Sequence, residues 1–318
     1  MLNRRDFLGV SAGAAATLGL TPRLVEALAQ GQLLQRAIPS SGEKIPVIGL
    51  GSSATFSQVA RADDVSALKA VFQAMTDRGA SVFDTAPSYG ASEAVAGGLV
   101  HEMGIARKMF WATKVNVAGR GGAAADPVAA RAQIEKSLTL FKQPKIDLIQ
   151  VHNMGDPATQ LAVIREFQKA GRVRYIGITT TNDNQYGALE AVMRNEPLDF
   201  IGIDYAADNR GVEEKILPLA IERKIAVLAY APFGRTSLFR RAAGLSLPEF
   251  AKEFDATTWA QFFLKFILAH PAITAVTPAT SQAKNMIDNI GGGIGRLPTA
   301  AHREQMIRFV DALPALPG

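Results

Sequence analysis

Short apolar runs alternate with longer amphipathic stretches along most of this chain. From residue 47 onward the apolar runs have the length of strands, and the stretches between them repeat apolar residues every three or four positions, as in residues 63–78. The pattern occurs eight times and predicts eight strand–helix units. The strands are predicted at residues 47–50, 82–83, 109–113, 146–151, 173–178, 199–203, 225–228 and 273–276. The helices are predicted at residues 63–78, 92–103, 126–141, 158–170, 184–194, 212–223, 257–269 and 282–289.

Strands that alternate with helices indicate an α/β protein with a parallel sheet, and eight units favour closure into a single-domain (β/α)8 TIM barrel. An open doubly wound sheet is the alternative. It would need a glycine-rich phosphate turn after its first strand, and residues 49–54 lack the third glycine of that motif. Two extended runs, 33–38 and 44–48, predict an N-terminal β-hairpin. A last helix is predicted at about 299–313.

The first 29 residues resemble a twin-arginine (Tat) signal peptide. Arg4 and Arg5 precede a weakly apolar, uncharged run at 9–20, and a small-x-small pattern follows at 27–29. This order predicts cleavage of residues 1–29, with residues 30–318 as the barrel domain. It also predicts passage from the cytoplasm to the periplasm through the Tat export machinery. The apolar run is too short for a stable membrane span. The alternative is an ordinary amphipathic helix that begins at Arg4.

The composition of the chain excludes several kinds of partner and site. The chain has 318 residues, 48% of them hydrophobic, which suffices for one large core. Its formal charge of +5 includes no long Lys/Arg block, so we expect no nucleic-acid partner. The absence of cysteine excludes disulfides, thiolate metal ligands and cysteine nucleophiles, and no metal site is predicted.

Three consecutive predicted strands end in ionisable residues. Asp84 and Tyr89 follow the second strand, Lys114 ends the third and His152 follows the fourth. In a barrel these strand ends meet at the catalytic face. A phenol is a poor acid at neutral pH, but a nearby ammonium lowers its pKa and a carboxylate can orient that ammonium. With an imidazole to orient a carbonyl, the set suits proton delivery to a carbonyl oxygen while hydride reaches the carbon.

Each of these residues also has an ordinary structural interpretation. Asp84 could cap a turn, Tyr89 could be a buried loop aromatic, Lys114 could be a solvated charge and His152 a core histidine. Their joint placement on three successive strand ends is what favours a catalytic site.

Several sequence blocks resemble the signatures of the aldo/keto reductases, and the resemblance extends over about residues 33–289. The blocks are residues 83–86 with Tyr89 and Gly90, 112–114, 147–152, 171–177, Tyr205 with Asn209 and Arg210, and 229–234. The resemblance implies a (β/α)8 barrel and NADPH-dependent carbonyl reduction without a metal. It implies that Tyr89 is the general acid, that Lys114 and Asp84 tune it, and that His152 orients the substrate carbonyl.

The resemblance also implies a cofactor site. It assigns carboxamide contacts to Thr179 and Thr180, although the glutamine expected on the sixth strand is Gly202. Tyr230 is expected to stack on the nicotinamide. The adenosine phosphates are assigned to Pro278, Thr280, Ser281, Lys284, Asn285, Asp288 and Asn289. NADP(H) is therefore favoured, but Ala279 and Asn285 stand where NADPH-specific members carry cations, so NAD(H) is the alternative.

The substrate is a small carbonyl compound of unspecified structure. Pocket walls are expected from residues 52–56, 115–125 and 233–254, with Phe56, Phe233 and Phe239 as an apolar rim. The predicted function is an exported reductase of aldehydes or ketones. Two alternatives stay open: a non-catalytic nicotinamide-binding barrel, and a dehydrogenase that acts mainly in the oxidative direction on sugars or alcohols.

Overall fold

A computed structural model describes residues 31–118 and 123–316 of the chain. Residues 1–29, where the signal peptide is predicted, and residues 119–122 of the predicted pocket wall lie outside this part. The strands are β1 (Gln35–Ala37), β2 (Lys44–Pro46), β3 (Leu50–Gly51), β4 (Val82–Asp84), β5 (Phe110–Val115), β6 (Ile146–Val151), β7 (Val173–Thr180), β8 (Phe200–Asp204), β9 (Ala226–Tyr230) and β10 (Ile273–Val276). The α-helices are α1 (Thr55–Val59), α2 (Ser66–Asp77), α3 (Ser92–Glu102), α4 (Pro127–Phe141), α5 (Pro157–Lys169), α6 (Tyr186–Asn195), α7 (Ile216–Glu222), α8 (Ser237–Arg241), α9 (Trp259–Leu268), α10 (Ala283–Gly291) and α11 (Ala300–Asp311).

Strands β3 to β10 form one parallel sheet in sequence order. Parallel bridges join Ile48 to Val276 and Gly51 to Ala279, so the first strand of the sheet meets the last. This closure confirms the predicted (β/α)8 barrel and excludes the open doubly wound sheet, in which the two edge strands stay apart.

The N-terminal hairpin covers the bottom of the barrel. β1 and β2 pair antiparallel, with Arg36 opposite Ile45, and the turn between them contains Gly42 at φ +77°. The side chains of Ile38 and Ile45 are buried in the interior cluster of the barrel. The predicted hairpin is therefore present, and it seals the end opposite the expected catalytic face.

Side chains inside the barrel change character along its axis. The lower part is apolar and contains Ile38, Ile45, Val82, Phe110, Ala112, Leu148, Tyr175, Phe200, Ala226, Leu228 and Ala275. Two residues further along the strands, the same inward-facing positions carry Asp84, Lys114, Gln150 and Tyr230. Because side chains alternate between the two faces of a strand, these polar groups lie directly above the packed core. The core thus forms a dry floor for a polar site.

The helices agree with the predicted ones to within a few residues, and two short helices, α1 and α8, are additional. Ser92, the first residue of the predicted helix 92–103, is also the first residue of α3, and its hydroxyl donates to the carbonyl oxygen of Tyr89 at 2.8 Å. The predicted C-terminal helix is α11, which starts with a capping box between Thr299 and His302. Within the described ranges, no helix combines the length and apolar character needed to cross a membrane.

Candidate active site

The centre of the site is a buried ion pair at the ends of β4 and β5. Nζ of Lys114 lies 2.7 Å from Oδ2 of Asp84 and also donates to the carbonyl oxygen of Thr85 at 2.7 Å. Lys114 is 2% and Asp84 4% exposed. The strand register places Asp84 beside Ala112, two residues before Lys114 on the same face. The predicted pairing of these two side chains is therefore present.

Tyr89 lies in the turn that follows β4, close to the ion pair. Nζ of Lys114 is 5.3 Å from the centroid of its ring. Two hydrogen bonds fix the turn. The backbone N–H of Tyr89 donates to the carbonyl oxygen of Ala86, and the Ser92 hydroxyl donates to the carbonyl oxygen of Tyr89. Burial raises the pKa of the Tyr89 phenol, and the Lys114 ammonium opposes this rise. The effect expected of Lys114 is present, but burial outweighs it, and Tyr89 stays protonated at neutral pH.

His152 completes the four predicted catalytic residues. Its ring lies edge-on to the Tyr89 ring, with centroids 5.8 Å apart and an interplanar angle of 80°. Burial, and to a lesser extent the charge of Lys114, lower the pKa of His152 to about 3. The imidazole is therefore neutral at physiological pH. Its Nδ1 is buried and has no hydrogen-bond partner within the described ranges.

Tyr230 also lies inside the mouth of the barrel. Its Oη donates to Oδ1 of Asp84 at 3.2 Å and accepts from Nε2 of Gln150 at 3.0 Å. The phenol is thus held within the polar site, and the predicted contact of its ring with a nicotinamide stays a prediction.

Thr179 and Thr180 end β7 and face different surroundings. Oγ1 of Thr179 accepts the backbone N–H of Asn153 at 3.1 Å, which ties the loop after β6 to β7. Oγ1 of Thr180 donates to Oε1 of Gln185 at 2.5 Å. Both hydroxyls are used within the protein, and their assignment as carboxamide contacts remains a prediction.

A groove of about 500 Å³ lies between the loop after β10, α9 and the loop after β9. It is lined by Thr55, Phe233, Thr236, Phe239, Thr258, Trp259, Ala260, Ala279, Thr280, Ser281, Gln282, Asn285, Asp288 and Asn289. The groove brings together five of the predicted adenosine-phosphate residues, while Pro278 and Lys284 do not line it. Aromatic rings, hydroxyls and amides with the start of α10 suit a nucleotide. Phe56 is not part of a rim: it is fully buried against Phe72 and Phe83.

Residues 47–303 match the sequence model of the Aldo/keto reductase family. This chain belongs to the aldo/keto reductase family. The resemblance noted in the sequence is thereby confirmed, and with it the expected enzyme class, the NAD(P)-dependent oxidoreductases that act on carbonyl and alcohol groups.

Among individual aldo/keto reductases, the chain is 30% identical to aldo-keto reductase YhdN of Bacillus subtilis (strain 168) over 208 residues. That alignment covers 63% of this chain and 62% of YhdN, so this chain matches less than two thirds of the length of YhdN. Probable aldo-keto reductase 1 of Glycine max is 24% identical over 83% of this chain and 85% of its own.

Solved aldo/keto reductase structures share the fold. The holo form of AKR11C1 from Bacillus halodurans superimposes with a TM-score of 0.71 at 21% identity, covering 88% of this chain and 96% of that one. A Klebsiella pneumoniae aldo/keto reductase solved with NADP and acetate gives a TM-score of 0.67 at 21% identity, over 85% and 93% of the two chains.

One residue of the site, Gln150, was not predicted from the sequence, and what Gly202 does was not recognised. Gln150 binds the Tyr230 hydroxyl, and it stands two residues before His152 in a strand. Strand periodicity alone would have placed it on the catalytic face. Gly202 was noted only as a missing glutamine, yet its missing side chain is what leaves room for the Tyr230 ring.

Proposed function

We propose that this protein reduces the carbonyl group of an aldehyde or ketone to an alcohol, with Tyr89 as the proton donor. The observation that carries the proposal is the position of Tyr89, whose ring lies beside both the buried ammonium of Lys114 and the neutral imidazole of His152. Proton delivery needs a protonated phenol before the reaction and a nearby positive charge once the phenolate has formed. Tyr89 meets both requirements.

Each residue of the site has its own role in the proposed reaction. A bound reduced nicotinamide supplies the hydride for the carbonyl carbon. Tyr89 gives its proton to the carbonyl oxygen, which yields the alcohol, and the resulting phenolate is stabilised by Lys114. Asp84 keeps Lys114 in place through the 2.7 Å contact, and solvent returns a proton to Tyr89.

His152 serves as a neutral hydrogen-bond donor that orients the carbonyl. Its Nδ1 is buried without a partner, and a buried N–H without an acceptor is costly, so the arrangement favours the tautomer with the hydrogen on Nε2. That tautomer leaves an N–H for the substrate oxygen. The apolar core below the site prevents water from reaching the reacting groups from the barrel interior.

The lining of the groove beside α9 and α10 supports the proposal of a dinucleotide cofactor, for which NADP(H) is the first candidate. A second Klebsiella pneumoniae neighbour was solved with NADPH, in addition to the NADP complex described above. The described lining of the groove nevertheless carries one ionisable side chain, the carboxylate of Asp288, and no lysine or arginine. A 2′-phosphate binds best to cationic donors. NAD(H) should therefore be accepted as well.

The decisive experiment compares Tyr89→Phe with Tyr175→Phe. The probe is 4-nitrobenzaldehyde, with NADPH consumption followed by its absorbance. Tyr89→Phe should lower kcat by about a hundred- to ten-thousand-fold while cofactor affinity stays nearly unchanged. Tyr175→Phe removes a hydroxyl at the bottom of the barrel, bonded there to Glu43, and should retain activity.

Other outcomes of this comparison would overturn the proposal. Equal loss of turnover and cofactor binding in Tyr89→Phe would remove Tyr89 from the proton-donor role. Cofactor binding by the wild type without turnover of aldehydes, ketones or alcohols would favour the non-catalytic barrel. Faster alcohol oxidation than carbonyl reduction would instead favour the dehydrogenase, which uses the same groups in reverse.

We also propose that the chain is exported to the periplasm through the Tat machinery. The support is the order of paired arginines, apolar run and small-residue site in residues 1–29. Fractionation of bacteria that express the full chain should place a shortened form in the periplasm. Replacing Arg4 and Arg5 by lysine should keep the full-length form in the cytoplasm, and unchanged export would contradict the proposal.

A further inference from the structure

Tyr230 contacts both members of the buried ion pair. Its hydroxyl donates to Oδ1 of Asp84, the oxygen that Lys114 does not use, at 3.2 Å. Nζ of Lys114 lies 5.3 Å from the centroid of its ring. Since Nε2 of Gln150 donates to the same hydroxyl, the phenolic hydrogen is directed towards Asp84. Both oxygens of the Asp84 carboxylate are therefore held by protein donors.

The glycine at position 202 creates the space that the Tyr230 ring fills. A Cβ at Gly202 would lie 2.5 Å from Oη and 2.7 Å from Cζ of Tyr230, and Cβ atoms in proteins essentially never come so close to non-bonded atoms. The backbone conformation of Gly202 does not demand glycine, because its φ is not positive. Any larger residue on this part of β8 would force the ring out of the barrel.

The geometry points to Tyr230 as a positioning residue that acts on Tyr89 through Asp84 and Lys114, with Gly202 as the position that admits it. The inference rests on the proposed carbonyl reduction. A carboxylate that is 4% exposed has no solvent to satisfy an oxygen that loses its donor. Without the Tyr230 hydroxyl, Asp84 would take up a proton more readily, and a neutral carboxyl would no longer hold the Lys114 ammonium beside Tyr89.

The test is Tyr230→Phe, which keeps the aromatic ring and removes only the hydroxyl. We expect kcat to fall about ten- to a hundredfold, the typical effect of losing one hydrogen bond to a charged group, while the cofactor Kd stays within about twofold. The acid limb of the kcat profile should move to higher pH, because burial already raises the pKa of Asp84 and the lost hydroxyl was opposing that rise. A role confined to ring contact with the cofactor predicts no change in kcat or in the pH profile, and that outcome overturns the inference.

Gly202→Ala provides the second arm. Its Cβ should displace the ring and lower kcat to a similar extent, and Tyr230→Phe should then cause no further loss in the Gly202→Ala background. Independent, multiplying losses would show that Gly202 does not act by admitting the phenol, and would overturn that part of the inference.

A stability measurement separates this inference from the proposed function. The free energies of unfolding of wild type, Tyr230→Phe, Asp84→Ala and the double variant form a cycle that does not depend on turnover. A non-zero coupling supports the contact even if no carbonyl probe is reduced, in which case the proposed function fails alone. Zero coupling overturns the positioning role whatever the activity.

Discussion

Nζ of Lys114 lies 2.7 Å from Oδ2 of Asp84, and both side chains are almost completely buried. The carbonyl oxygen of Thr85 is a second acceptor for the same ammonium. Removing one charge of such a pair leaves the other buried without its partner, whereas removing both does not. The pair should therefore contribute to stability as a unit, in addition to the role proposed for it beside Tyr89.

The first prediction concerns this coupling. Lys114→Met should lower the free energy of unfolding by about 3–5 kcal/mol, measured by denaturant unfolding. The double variant Asp84→Asn/Lys114→Met should recover most of that loss while remaining inactive. Lys69→Met, at the exposed ion pair with Glu102, is the control and should have little effect. Additive losses in the double variant would show that the two buried charges are not coupled.

The second prediction concerns the pH dependence of stability at His152. Its pKa of about 3 in the folded protein lies below the value of about 6.5 for an unfolded histidine. Below pH 6.5 the unfolded chain therefore takes up a proton that the folded chain does not. Neutral His152 makes its full contribution to the free energy of unfolding above about pH 6.5. This contribution is lost as the pH falls towards 3, at up to about 1.4 kcal/mol per pH unit.

The measurement for His152 is the difference in unfolding free energy between wild type and His152→Asn across this pH range. The other titrating groups largely cancel in that difference, which should shift steadily against the wild type on acidification. A difference that is constant with pH would mean that His152 titrates alike in the folded and unfolded chains.

The third prediction uses two adjacent glycines of α3. A Cβ at Gly97 would lie 2.8 Å from the Cα of Phe141 on α4, whereas a Cβ at Gly98 would meet nothing within 4 Å. Gly97→Ala should destabilise the protein by about 1–3 kcal/mol through overpacking. Gly98→Ala should stabilise it by about 0.5–1 kcal/mol through helix propensity. The Tm of each variant, measured by thermal unfolding, distinguishes the two substitutions. Equal changes in Tm would show that α3 and α4 are not in close contact.

The barrel and the joint placement of the four candidate catalytic residues could be predicted because they depend on local patterns. The strands Ile146–Val151 and Ile273–Val276 are apolar runs with clear ends, and their predicted limits agree with the structure. Lys114 and His152 could be placed at one face because parallel strands end together.

The remaining features depend on packing that no local pattern contains. Phe56 was predicted at the rim because it lies in the segment 52–56 after the first predicted strand, but it is buried between Phe72 and Phe83. The inward position of Tyr230 depends on the absence of a side chain on the neighbouring strand at Gly202. Such a pairing becomes visible only when strand register and side-chain directions are both known.

The last prediction concerns cofactor selectivity in the groove beside α9 and α10, where we propose that the cofactor binds. Asn285 lines the groove, whereas Lys284 is exposed on the same helix and does not. Asn285→Arg should shift the ratio of NADPH to NADH affinity towards NADPH by about tenfold, or roughly 1.4 kcal/mol. Lys284→Ala should leave the ratio unchanged, because its ammonium lies outside the lining. Quenching of Trp259, which lines the groove, reports binding, since the second tryptophan, Trp111, is buried in the core. Loss of NADPH preference in Lys284→Ala would instead show that this lysine reaches the 2′-phosphate, and the groove would then discriminate by a flexible surface charge rather than by its lining.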